Sequence, residues 1–294
     1  MRKIILGTDW WTDCDDAVAV RLLARAHKVG EIQLLGVAIN ACMNDSVTSL
    51  EGFLNTEGLE MLPIGLDSAA IDYGGEPPYQ KRLVPHARHY HSNADAEDAV
   101  KLYRRLLTES NSPVELVEIG FLQVLSALLQ SKSDQISPKS GMELVLEKVS
   151  KIWVMAGRWD VDGGKENNFC RNQRAIAAGE AFCRLCPVPV TFLGWEVGTL
   201  VVSGGMLAKH DPLHHILCDF GSPEGRKSWD PMLALLAVIG NAEKAGYDTV
   251  VGTAVLDATT GENHFTVHPN GRHAYVKMKM PPAYYEEQIN QRIS

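Results

Sequence analysis

From the N-terminus to about residue 193, short β-rich runs alternate with helix-length amphipathic segments, and that alternation admits few folds. Strands are predicted over 3–8, 33–39, 62–65, 114–119, 151–155 and 188–193. Between the first two, Ala19, Leu22, Leu23 and Ala26 stand at i, i+3, i+4 and i+7, an apolar stripe that predicts a helix over 16–26. A βαβ series of this kind predicts an α/β fold with a single open, mostly parallel sheet, helices on both faces and right-handed crossovers. After residue 193 the pattern changes. Helices are predicted near 197–207 and 231–245, and strands near 249–255, 264–268 and 274–280. In the last run Val276, Met278 and Met280 alternate with Lys277 and Lys279, the mark of a strand with one face on the core. These strands predict a C-terminal β-hairpin region appended to the same unit, so residues 1–294 are expected to form one domain.

Composition narrows the partners. With 45% apolar residues in 294, there is ample material for a core. The 36 acidic residues outnumber the 28 basic ones and leave a net charge of −8, which argues against a nucleic-acid polymer or an anionic membrane as the main partner. No run approaches the roughly 18 to 20 apolar residues of a membrane span, and Met1–Leu6 reads as a strand rather than a signal peptide. A cytoplasmic location follows as the expectation. The six cysteines are scattered, which suits reduced thiols. Cys183 and Cys186 have the spacing of a zinc or redox pair, but no second pair stands at ligand spacing, so a structural role is expected. Two long irregular stretches, 67–95 and 156–172, are rich in Gly, Pro, Asn, Asp or His, and loops of that length inside a compact unit usually serve function.

The segment with the most chemistry joins the first strand to the first helix. Asp9, Asp13, Asp15 and Asp16 fall within eight positions, in the crevice where open α/β sheets place their ligands. Helix capping accounts for one or two of them. Four crowded carboxylates repel one another unless a cation neutralises them, and hard oxygen donors suit Ca²⁺ or Mg²⁺ better than zinc.

This segment resembles the aspartate signature of the nucleoside hydrolases, the inosine-uridine-preferring and nonspecific nucleoside N-ribohydrolases, in its longer form Asp-Thr-Asp-x-Gly-Thr-Asp-x-Asp-Asp-Ala. The resemblance continues in order at Gly36–Asn40, and at Val117–Gln123, which is similar to the family's Gly-Pro-Leu-Thr-Asn turn. It continues again at Val154–Gly157 with Glu166–Phe169, and at Ser228–Pro231. It implies Ca²⁺ held by Asp9, Asp16, Asp230 and the main-chain carbonyl of Gln123. It also implies ribose contacts from Asp15, Asn40, Glu166, Asn168 and Asp230, with Asp9 as general base toward a water positioned by the calcium. The substrate implied is a nucleoside, and the assembly a homodimer or homotetramer. On the residues alone, Asn40 also reads as a strand-ending turn residue, 166–168 as an Asx-rich loop, and Asp230-Pro231 as a helix N-cap followed by proline at the first helical position.

Several positions depart from the family pattern. Gly7 stands where the family has an Asp, which implies weaker support around Asp9. Trp11 replaces a Gly and implies a reshaped sugar pocket; Phe121 replaces a Pro, and Asn172 an Asp. Trp229 stands where inosine-uridine-type members have a His that acts as general acid. Its indole instead offers base stacking that suits purines, as do Trp10, Trp11, Trp159 and Trp195, while His86, His89 and His91 are the loop histidines near enough in sequence to be weighed as acids. Two other readings compete. One is a nucleoside-binding, metal-stabilised protein of the same fold without turnover. The other is a phosphohydrolase using an Asp nucleophile and Mg²⁺, suggested by Asp13-Cys14-Asp15; that pair comes several residues after the strand and lacks a phosphate-cradling Gly-rich loop.

Overall fold

Ten strands drawn from residue 2 to residue 278 join into one sheet in the computed structural model, which describes residues 1–294. The first half of the chain runs β1 (Arg2–Thr8), α1 (Asp15–Lys28), β2 (Ile32–Ile39), α2 (Ser46–Thr56), β3 (Ile64–Leu66), α3 (Gln80–Leu83), β4 (Glu97–Asp98) and α4 (Ala99–Glu109). It continues with β5 (Val114–Glu118), α5 (Gln123–Gln130), α6 (Gly141–Lys148), β6 (Val149–Met155), α7 (Asn167–Cys170), α8 (Gln173–Leu185), β7 (Val190–Leu193) and α9 (Trp195–Gly198). The last third adds β8 (Val202–Ser203), α10 (Pro212–Phe220), β9 (Arg226–Lys227), α11 (Trp229–Ile239), β10 (Tyr247–Leu256), β11 (Asn263–Val267), β12 (His273–Met278) and α12 (Pro282–Ile293).

The sheet order is β11-β10-β12-β7-β6-β5-β1-β2-β3-β4, with every pairing parallel except the two that involve β10. From β1 the chain builds outward through β2, β3 and β4, then returns to the other side of β1 and builds outward again from β5. The strand order therefore reverses between β1 and β5, and the carboxyl ends of these two strands bound the crevice where such sheets bind ligands.

Burial explains the layers. Helices α1, α2, α10, α11 and α12 cover one face and α4, α5, α6 and α8 the other, each face with its own apolar cluster. Helix α11 is apolar all round, with Met232 to Leu236 wholly buried, which places it in the interior of its layer rather than at the surface. It lies against α1, and α1 is tied down by Arg21, whose buried guanidinium reaches Glu57 at 2.6 Å and Asp211 at 2.7 Å. No helix is long and apolar enough to cross a membrane.

Two local expectations change. No helix spans 197–207: one turn ends at Gly198, which packs on Trp229, and Val202-Ser203 pairs with Arg226-Lys227 in a small separate sheet. The C-terminal strands are continuous with the main sheet, because β12 pairs with β7 on one side and β10 on the other. The lysine alternation that suggested half exposure lies where β12 overhangs β7, whose pairing stops at Tyr275.

Candidate active site

At the end of β1 the chain turns through Asp9–Cys14 into α1, and Trp10 takes a left-handed backbone with φ 44°. A non-glycine residue holds that conformation only where its surroundings impose it. The Trp10 indole is completely buried between Phe53 and Tyr79, and its Nε1 donates to Ser49 Oγ at 2.9 Å. The 67–95 stretch secures the same loop from outside. Gln80 Nε2 donates to the Trp10 carbonyl at 2.6 Å, and the Tyr79 hydroxyl to the Trp11 carbonyl at 2.9 Å.

That loop delivers the aspartates to the point where the N-termini of α1 and α11 converge. Carboxylate oxygens of Asp15, Asp16 and Asp230 lie within 4.8 Å of one another, and all three side chains are buried. The Asp230 main-chain N–H donates to Asp15 Oδ2 at 3.1 Å. Asp16 Oδ1 accepts from the Thr8 hydroxyl and from the Trp10 N–H at 3.2 Å. Asp9 adjoins Asp16, and its carboxyl is pushed well up by burial, by the Asp16 charge and by their shared hydrogen bond. Burial, then neighbouring carboxylates, raises Asp15 and Asp230 as well; burial raises Asp16 to about 6. The close set thus takes in Asp15 beside the expected Asp16 and Asp230, with Asp9 as the adjoining acid. An all-oxygen, carboxylate-rich donor set of this kind fits a hard divalent cation. Asp13 belongs to a different balance. It forms a two-point ion pair with Arg226 at 2.9 and 2.5 Å, which also removes it as the free nucleophile a phosphohydrolase would need.

Beside this cluster opens a cavity of about 440 Å³, within the range of small-ligand sites. Asp9, Asp15, Asp16 and Asp230 line one end; Glu166 and Asn168 line another part of the wall. Glu166 accepts from the main-chain N–H of Gly157 at 3.0 Å and of Asn168 at 2.8 Å, while burial raises its carboxyl to about 7. Asn168 donates to the Met155 carbonyl at 2.9 Å, fixing its amide against the end of β6. The 156–166 loop is locked by a residue from the far edge strand. Asn263 accepts from the Arg158 N–H at 2.9 Å and donates to the Arg158 carbonyl at 2.8 Å. Asn263→Ala will therefore destabilise the protein by about 2 kcal/mol, read by denaturant unfolding, because it removes two hydrogen bonds from a buried site.

Three of the five tryptophans considered for base stacking line the cavity: Trp11, Trp195 and Trp229. Each carries a cation over its ring, Arg171 on Trp11 at 4.7 Å, Arg158 on Trp195 at 5.0 Å and Arg226 on Trp229 at 5.2 Å. Trp229 also donates to the Trp195 carbonyl at 2.9 Å, which joins the two indoles into one wall. Trp10 and Trp159 do not line it. Trp10 anchors the aspartate loop, and Trp159 is buried among Phe169, Phe192, Phe265 and Tyr275. No histidine lines the cavity, and His89 instead faces Glu51 at 2.8 Å.

Asn40 and Gln123 also lie outside the cavity lining. The Asn40 amide, expected at the ribose, is spent inside the protein: Nδ2 donates to Glu118 Oε1 at 2.7 Å and Oδ1 accepts from the Phe121 N–H at 2.9 Å. Gln123 opens α5, its side chain donating to the Asn40 carbonyl and accepting from the Tyr73 hydroxyl at 3.1 Å. Sequence reasoning gave no role to Glu118, Asn263, Arg171 or Arg226, since their partners are remote along the chain. Cys183 and Cys186 are buried free thiols, raised by burial, Cys186 to about 11, as structural cysteines should be.

No family model matches the sequence, and no curated protein matches it by sequence. Solved structures do match along almost the whole chain. An inosine-uridine preferring nucleoside hydrolase from Bacillus anthracis aligns with TM-score 0.71 and 14% identity over 100% of this chain and 99% of its own. A purine-preferring ribonucleoside hydrolase from Gardnerella vaginalis aligns with TM-score 0.72 and 16% identity, covering 99% and 98%. The type III effector protein XopQ, solved with adenosine diphosphate ribose, aligns with TM-score 0.68 and 15% identity, covering 99% and 93%. The fold is that of the nucleoside hydrolases. Within it, this chain carries a cluster of buried aspartates able to hold a metal at the carboxyl ends of the central strands.

Proposed function

We propose that the protein is a calcium-dependent nucleoside N-ribohydrolase that splits a ribonucleoside into ribose and free base. The observation that carries this reading is the convergence of Asp15, Asp16 and Asp230 within 4.8 Å beside Asp9, at one end of a nucleoside-sized cavity in a nucleoside hydrolase fold. Asp9, Asp16, Asp230 and the Gln123 main-chain carbonyl would hold Ca²⁺, which when bound orients water and ribose hydroxyls and offsets the crowding of the carboxylates. Asp15, Glu166, Asn168 and Asp230 bind the sugar. Asn40, placed by its hydrogen bonds behind the cavity wall, supports the site from there.

Asp9 acts as general base. The water oxygen bonds to the anomeric carbon, the C–N bond breaks with its electron pair leaving on the base, and the water proton passes to Asp9. The transition state resembles an oxocarbenium ion, and the surrounding carboxylates stabilise its positive charge, as in the two-sided logic of inverting glycosidases. With no histidine on the cavity wall, the departing base takes its proton from solvent. Trp229 and Trp195 hold that base by stacking, which suits the broad face of a purine. Trp229→Ala will raise KM for a purine nucleoside about tenfold with little change in kcat, because stacking binds ground and transition states alike.

The test is direct: calcium-loaded protein offered purine and pyrimidine nucleosides and 4-nitrophenyl riboside will release ribose, and chelation will stop it. The missing histidine favours one second reading, a binding protein of the same fold without turnover. Tight binding of a nucleoside, or of adenosine diphosphate ribose as in the effector neighbour, with no ribose release would establish it. A homodimer or homotetramer of one-domain chains belongs to the same proposal and is read by light scattering.

A further inference from the structure

Among the buried glutamates outside the cavity lining, Glu118 stands apart, with no exposure at all. Glu57 is paired with Arg21, and Glu51 receives three main-chain N–H groups and His89. Glu118 has no cationic partner. Its Oε1 accepts from Asn40 Nδ2 at 2.7 Å and from the Gly120 N–H at 3.0 Å, while Oε2 has no partner at all.

Its place in the sheet explains why such a group is tolerated there. Glu118 on β5 is in register with Gly7 on β1, so the two side-chain directions share one face. A Cβ on residue 7 would overlap Glu118 Oε2 and lie 2.6 Å from its Cδ and 2.7 Å from its Oε1. The carboxyl therefore fills the space that a side chain on residue 7 would fill. It is covalently part of β5 and spatially part of β1. From that point it reaches β2 through Asn40, and Asn40 in turn holds the Phe121 N–H and, by its carbonyl, the Gln123 amide. Gly120, which Glu118 grips directly, has no room for a side chain because a Cβ there would lie 2.9 Å from Asp9 Cβ and overlap the Asp9 nitrogen. The ends of three strands are thus tied to one carboxyl, and the turn it tightens presses on Asp9.

We propose that Glu118 is a positioning residue: its carboxyl, occupying the side-chain space of Gly7, holds Asn40 and the Gly120–Gln123 turn so that Asp9, against which Gly120 packs, keeps its place at the β1–β5 crevice. Its catalytic consequence rests on the hydrolase reading; its geometric consequence does not. Because residue 7 points at the Glu118 carboxyl, an aspartate placed there brings its own carboxyl to the same point, and the group can be moved between strands by mutation.

The experiment compares Glu118→Ala, Glu118→Gln, Gly7→Asp and the double variant Gly7→Asp/Glu118→Ala with the parent protein. Three quantities are read: hydrogen exchange of the 119–123 segment by mass spectrometry, the calcium dissociation constant by calorimetry, and kcat and KM on 4-nitrophenyl riboside. Glu118→Ala is expected to exchange at least tenfold faster in that segment, to bind calcium at least tenfold more weakly, and to lose kcat at least tenfold with KM within threefold. Glu118→Gln, which keeps the acceptor for Asn40, stays within threefold of the parent. The double variant recovers each quantity to within threefold, and Gly7→Asp alone, with two carboxyls competing for one space, is worse than the double. Unchanged exchange in Glu118→Ala, or a double variant no better than that single, overturns the proposal. If Glu118→Ala does not fold, recovery of a folded, calcium-binding double variant supports it and an unfolded double overturns it. A parent protein without turnover counts against the hydrolase reading, while the exchange cycle still decides the role of Glu118.

Discussion

Asp9→Asn will lower kcat for ribose release about a thousandfold at saturating calcium, the scale on which a positioned general base acts. The amide keeps the shape of the side chain and removes its ability to take the water proton. Asp9 is also one of the proposed ligands, so the variant should need more calcium, but Asp16 and Asp230 remain and saturating calcium should still raise its melting temperature; a kcat that stays low there distinguishes a lost base from a lost ion. The acid limb of the pH profile carries a second signature. A general base must be ionised to act, so parent activity at saturating calcium will fall on the acid side as the Asp9 carboxylate takes up a proton. The residual activity of Asp9→Asn will lack that limb. A variant that keeps full kcat would move the base elsewhere.

Removal of calcium will destabilise the protein, and the loss will grow as pH rises from about 5 to 7. The sign follows from the raised carboxyls. An acid whose folded pKa lies above its unfolded value favours folding while protonated, and that contribution fades as pH climbs from the unfolded value through the folded one. Asp16, raised by burial to about 6, makes this transition between roughly pH 4 and 6, and Asp9, Asp15 and Asp230 are shifted in the same direction. A bound divalent ion favours the ionised form of all four, so the calcium-loaded protein escapes the decline. At a hundredfold excess over its dissociation constant the ion contributes about 2.7 kcal/mol, or on the order of 4 °C in melting temperature for a chain of this size. Thermal melts with calcium and with chelator at several pH values give the comparison. Equal gaps at pH 5 and pH 7 would show that the aspartate cluster does not hold the ion. Glu166 and Glu118, raised by burial to about 7 and about 8, give both forms a shared decline from about pH 4.5 up to those values, which cancels in the comparison.

The parts of this molecule that were legible in its sequence are those written locally. Ile4, Ile5 and Leu6 announce a buried strand by themselves, and Asp9 to Asp16 announce a carboxylate cluster because the charges are adjacent along the chain. The turn from β1 into α1 then places them at the sheet's switch point, where Ser49, Tyr79 and Gln80 hold it. What escaped depends on pairings between remote positions. Gly7 alone looked like a lost carboxylate, yet the cross-strand neighbour Glu118 fills its space. Asn40 looked like a ribose ligand at a strand end, but its amide is drawn into the protein by Glu118 and Phe121. The apolar residues of 197–207 suggested a helix, but Leu200, Val202 and Met206 are exposed, and it is Gly198 and Gly204 that approach Trp229 and Leu217 as the chain folds back. Tyr285, Ile289 and Ile293 in α12, spaced at i, i+4 and i+8, did carry a readable helical stripe, which buries against α1.

The grip of Asn263 on Arg158 also sets an order of events during translation. Asp9 emerges from the ribosome about 250 residues before the side chain that closes the Glu166 loop. Until β12 arrives, Val190–Leu193 is an open sheet edge made of buried-type residues, the kind of edge that recruits other chains. Until α11 arrives, the early aspartates lack Asp230 and the helix that packs against their own. A chain that stops after β9 therefore presents an unpaired sheet edge, the kind of surface that makes unfinished chains prone to associate.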